Sequence, residues 1–101
     1  SDLYSTISYY KDGSSYLLTS VSGSWTIYNS AASVRSASLN YGCTDYEHSS
    51  QVGNRSVSNN FYVGTGFSTY VSGPGMSVGA NLSLTYSMNS RTWTFTLPNF
   101  I

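Results

Sequence analysis

Apart from its many hydroxyls and a single lysine, the 101-residue sequence holds four carboxylates, one thiol and one imidazole that could do acid–base, nucleophilic or metal chemistry: Asp2, Asp12, Cys43, Asp45, Glu47 and His48. Four of them fall in the run Tyr41-Gly42-Cys43-Thr44-Asp45-Tyr46-Glu47-His48. Cys43 and His48 are close enough along the chain for a thiolate to meet an imidazole, as nucleophilic catalysis requires. A lone cysteine after a strand more often serves as a small buried apolar group. Asp45, Glu47 and His48 offer carboxylate and imidazole ligands of the type zinc takes, yet no second His and no paired-Cys spacing completes a four-ligand site. Calcium would need Asp or Asn oxygens at alternating positions, and these are missing. Glycoside hydrolysis would need a second carboxylate drawn from distant Asp12 or Asp2. Among the serines the nucleophile-elbow motif G-x-S-x-G does not occur. The expectation is a polar loop with no metal, no cofactor and no catalysis.

Surface composition points to binding instead. The chain has 22 Ser, 10 Thr, 8 Asn and 10 Tyr against 8% charged residues. Tyr, Ser, Gly and Asn are the residues of antibody paratopes, where Tyr gives rigid amphipathic contact area and the small polar residues give adaptable hydrogen bonds. Tyr10, Tyr28, Tyr46, Tyr62 and Tyr70 alternate against the apolar positions around them and should face solvent. Exposed rings beside Asn and Ser suit a glycan or a protein surface as partner. The competing explanation is that Tyr and Thr are good strand residues that pair across an exposed sheet.

Net charge is zero, with one Lys and three Arg scattered along the chain, so no basic stripe is present to engage a phosphate backbone. Nucleic acid is not an expected partner. The longest apolar run is far short of a membrane helix. Hydroxyl and amide side chains in place of charges are common in exported proteins, and the start Ser-Asp-Leu-Tyr, with no basic or apolar leader, reads as a mature chain whose signal peptide has been removed or as a recombinantly trimmed one. The expected location is therefore secreted or cell-surface, with a bacterial source favoured because the single cysteine allows no internal disulfide.

Strands must position these groups. Leu82 to Met88 alternates apolar and hydroxylic residues, Asn89-Ser90 turns the chain, and Thr92 to Leu97 alternates again until Pro98 is expected to stop it. This hairpin should bury Leu82, Leu84, Tyr86 and Met88 beside Trp93, Phe95 and Leu97. Five further strands are expected over Leu3–Tyr10, Tyr16–Tyr28 (broken near Ser22-Gly23-Ser24), Ala32–Tyr41, Ser56–Val63 and Phe67–Val71, with a polar loop from Gly42 to Asn54. No segment carries a helical period. The length suits one domain, 1–101, built as an all-β antiparallel sandwich of about seven strands with immunoglobulin-like architecture; a closed barrel is the rival. With few charges to guard its edges, the terminal strand is expected to favour self-association.

In size, in Gly/Ser/Tyr/Asn richness and in its aromatic terminal strand, the chain resembles the small secreted β-sandwich bacteriocins of the lactococcin type. The resemblance covers composition and layout and carries no residue-level motif. It implies an alternative function as a bacteriocin-like or toxin-like protein, beside a further alternative as a self-assembling surface protein.

Overall fold

The computed structural model describes residues 1–101 and contains seven strands: β1 (Asp2–Asp12), β2 (Ser15–Thr26), β3 (Ser33–Thr44), β4 (Val52–Ser56), β5 (Phe61–Gly64), β6 (Ser77–Met88) and β7 (Arg91–Phe100). One sheet has the order β1-β2-β5 and the other β4-β3-β6-β7, with every neighbour antiparallel. Neither sheet closes on itself, so the fold is a small open sandwich and not a barrel. No helix is long and apolar enough to cross a membrane.

Period-two alternation builds the core. Leu18, Val21, Trp25 and Val63 point inward from the three-stranded sheet and meet Ala37, Leu39, Cys43, Val78, Ala80, Leu82 and Leu84 from the other. Leu18, Leu39, Leu82 and Leu84 are fully buried, each contributing about 1.5–3 kcal/mol of transfer free energy. Two tight turns set the register. Gly13 (φ 60°) takes the first central position of the β1–β2 hairpin, as a type II′ turn requires. Asn89 and Ser90 (φ 53° and 66°) both lie in the left-handed region of the β6–β7 hairpin, a type I′ turn.

The elements differ from expectation where tertiary contacts decide. The irregularity in β2 falls at Thr19, an extra residue where the register shifts opposite Ser8 and Tyr9, and not at Ser22-Gly23-Ser24. The expected polar loop is shorter than Gly42–Asn54, because β3 runs on to Thr44 and β4 begins at Val52. Ser56–Val63 is not one strand: the chain crosses between sheets at 57–60, where Asn60 has φ 59°. Phe67–Val71 pairs only through a Tyr16–Val71 bridge. That segment is fixed instead by Gln51, whose Oε1 accepts from Thr69 N (3.0 Å) while Nε2 donates to the Cys43 and Thr69 carbonyls (both 2.9 Å).

Pro98 does not stop β7. In a two-residue hairpin Met88 and Arg91 form a hydrogen-bonded pair, so the odd residues of β7 bond to β6 and the even ones point their backbone groups away. Pro98 is even, on an edge strand, where its missing N–H leaves the ladder intact. Trp93 and Phe95 face inward from β7 but are 36% and 51% exposed, not buried, because the three-stranded sheet does not cover that edge.

Candidate functional site

The polar loop between β3 and β4 is organised around the Asp45 carboxylate. Its Oδ1 accepts from Glu47 N (3.0 Å) and His48 N (2.7 Å) and pairs with His48 Nδ1 (2.9 Å), and its Oδ2 accepts from Ser72 N (3.1 Å). Burial disfavours the charged carboxylate, but the donors from Ser72, His48 and Glu47 outweigh it and hold the Asp45 carboxyl below the ordinary range. Oδ1 thereby holds the loop on itself, and Oδ2 ties it to the turn before β6. No three of the His, Cys, Asp and Glu side chains come together as metal ligands. Cys43 lies in the core, with its Sγ 3.5 Å from Leu18 N and 3.7 Å from the Tyr16 carbonyl. Burial pushes its thiol pKa up against the opposing Leu18 hydrogen bond. Cys43 and His48 thus make their polar contacts with different partners, one across the core and the other with Asp45. Glu47 is exposed.

The five tyrosines Tyr10, Tyr28, Tyr46, Tyr62 and Tyr70 are all exposed, but they do not form one face. Tyr10 and Tyr62 stand on the outside of the three-stranded sheet, where Tyr62 shares a row with Ser22 and Thr6. Tyr28, in the β2–β3 connection, donates to Asp2 Oδ2; that hydrogen bond, and then the charge of Asp2, raises the Tyr28 pKa. Tyr46 lays its ring over Gly75, where a Cβ would overlap it. Tyr70 lies in the β5–β6 connection.

A different site emerges on the outer face of the four-stranded sheet. Register places Val52, Gly42, Gly79 and Phe100 in one row across β4, β3, β6 and β7. Gly42 gives the row a floor without a side chain, the Phe100 ring lies close over Gly79, and Val52 and Phe100, 63% and 45% exposed, stand as apolar walls. The next row holds Asn54, Asn40, Asn81 and Pro98. Gly42, Val52, Phe100 and the three asparagines, together with Thr44 and Ser77, line a wide-open depression of about 550 Å³, within the range of small-ligand sites. The side-chain amides of Asn40, Asn54 and Asn81 make no hydrogen bond within the protein, so three donor–acceptor groups on adjacent strands, about 4.8 Å apart, are free to meet a ligand.

The two glycines of the row are there for different reasons. Gly79 has φ 154°, and a Cβ there would overlap the Asn99 carbonyl, so the backbone itself requires glycine. At Gly42 a Cβ would sit 3.5 Å from Gln51 O and Val52 Cγ1, an ordinary contact. The fold would accept a side chain at Gly42, and its absence keeps the trough open.

No family model matches the chain, and no curated protein or solved structure matches it either. The chemistry must therefore be read from the site itself. Trough, amides and ring wall carry no charge, so they suit a neutral ligand rich in hydroxyls with apolar C–H faces. Sequence reasoning missed this site because its residues meet only through strand register; the one linear hint was Asn alternating with apolar positions in Ala37–Tyr41 and Ala80–Leu82.

Proposed function

We propose that this is a non-catalytic binding domain of a secreted or cell-surface protein, and that it takes a neutral glycan in the trough between Val52 and Phe100. The observation that carries this reading is a glycine floor, kept free at Gly42 without steric need, beside three unpartnered amides. A sugar ring would lie on the floor with its C–H face against Phe100, and its hydroxyls would exchange bonds with Asn40, Asn54 and Asn81. The scarcity of charge, with hydroxyl and amide side chains in its place, supports placement outside the cytoplasm. Titration calorimetry against neutral oligosaccharides tests the reading. Wild type should bind, and Gly42→Leu, which fills the floor, should weaken binding at least tenfold with the fold intact. Equal binding by both proteins, or no binding by wild type, overturns it.

A further inference from the structure

β7 is the sheet edge best suited to receive another strand. The other edges are short or charged: β4 has five residues and carries Arg55, β5 has four, and β1 carries Asp2, Lys11 and Asp12. Between Arg91 and Pro98, β7 is uncharged, and hairpin parity turns the N–H and C=O groups of Thr92, Thr94 and Thr96 toward the free edge. On the inward face of the same stretch, Trp93 and Phe95 both stack on Tyr86, with ring centroids 5.6 Å away in each case and interplanar angles of 21° and 16°. Both side chains keep much of their surface exposed at this edge, Trp93 36% and Phe95 51%. β1 meets β7 at its far end, where Asn99 Nδ2 donates to the Ser5 carbonyl at 2.9 Å, and Ser1 and Leu3 border an open depression beside Phe95, Thr96 and Leu97, while Thr92, Thr94 and Thr96 remain exposed.

We propose that a second copy of this chain docks on β7 by two-fold antiparallel pairing centred on Thr94, joining the two four-stranded sheets into one. The register follows from self-complementarity. With Thr94 opposite its own copy, Thr92 faces Thr96 of the second copy, and every outward donor and acceptor of the three threonines is paired. Pro98 then falls opposite the turn residue Ser90 of the second copy, so pairing ends where the chain has no N–H to give. A shift by one residue pair one way sets Thr92 opposite Pro98 and strands the Thr92 carbonyl, and a shift the other way sets Thr96 opposite Ser90, whose φ of 66° takes it out of the extended strand. On the inward face the same register brings Trp93 against Phe95 of the second copy, twice, and covers the exposed ring faces with the aromatic cross-strand pairs that stabilise sheets. The absence of charge along the stretch removes the like-charge repulsion that guards most edges. This pairing leaves Phe100 and the trough free and is independent of what the trough binds.

Sedimentation equilibrium across micromolar to millimolar protein tests the proposal. Wild type should approach twice its 11.0 kDa mass. Thr94→Lys, which sets two like charges face to face on the axis, should remain monomeric with an unchanged circular dichroism spectrum. Thr94→Cys tests the register: directly opposed residues of a hydrogen-bonded pair lie about 5.5 Å apart at Cα, within disulfide reach, so mild oxidation should link the copies. Thr85→Cys, on the central strand β6, should not link. Wild type that stays monomeric at millimolar concentration overturns the proposal, as does dimerisation that survives Thr94→Lys. Linking by Thr85→Cys and not by Thr94→Cys would place the contact on the outer sheet face and would also overturn it.

Discussion

Asn59 clamps the backbone of Trp25 with both ends of its side-chain amide: Oδ1 accepts from Trp25 N and Nδ2 donates to Trp25 O, each at 2.9 Å. The pair reproduces, with one side chain, the two bonds that a neighbouring strand would make. It continues the β2–β5 ladder past Phe61, where β5 has already ended. Asn59→Ala should therefore destabilise the fold by about 1–3 kcal/mol, since two backbone groups of a largely buried residue lose their partners. Asn54→Ala, which removes an unpartnered amide, should change stability little. Urea unfolding of the two variants checks the contrast.

The floor of the trough gives a second contrast. Gly42→Ala meets only ordinary contacts and should be neutral or stabilise by up to about 1 kcal/mol through the unfolded chain. Gly79→Ala forces a Cβ into the Asn99 carbonyl at a positive φ and should cost more than about 2 kcal/mol. Thermal melts of both variants decide it. Equal melting temperatures would mean that the β6–β7 backbone relaxes around Gly79.

Asp45 sets part of the acid limb of stability. Its native carboxyl titrates below the unfolded value, so its contribution is fully present above the ordinary Asp pKa of about 3.9 and is lost as pH falls through the lower native value. Asp45→Asn should lower the urea midpoint at neutral pH and flatten its decline below about pH 4. Unfolding at a series of pH values, wild type beside variant, measures both effects.

Cys43 faces the core and should behave as a packing residue. Native protein should react with a thiol reagent only as fast as it opens, and the rate should rise steeply as denaturant approaches the midpoint. Cys43→Ser buries a hydroxyl in place of the sulfur and should cost about 1–3 kcal/mol. Fast labelling of folded protein would show that the two sheets separate locally at that end.

Much of the fold is legible in the sequence because most strands bury one face and leave the other wet. Leu82, Leu84, Thr94 and Thr96 show that alternation directly, and the type I′ turn at Asn89-Ser90 sits between them. Val57, Asn59, Phe61 and Val63 keep the same alternation straight through a crossover, so the corner at 57–60 cannot be seen from periodicity. Pro98 misleads because its effect depends on which way its nitrogen points, a matter of hairpin parity. The trough was hidden for a related reason: Gly42, Gly79, Val52 and Phe100 are distant in sequence and become neighbours only when four strands pair in one register. The tyrosines show the reverse, since solvent exposure followed from alternation while their scatter over both sheets and the connections did not.

The outer face of the four-stranded sheet, with its rows of Ser, Thr and Asn, is almost electrically silent. Its side chains gain or lose no proton across the biological range, and mobile ions find little to screen there apart from Arg35, whose Nε donates to Ser87 Oγ at 2.9 Å. Contacts made on this face would hold nearly constant from dilute buffer to brine and from mild acid to mild alkali. That constancy would suit a molecule exposed to surroundings it does not control.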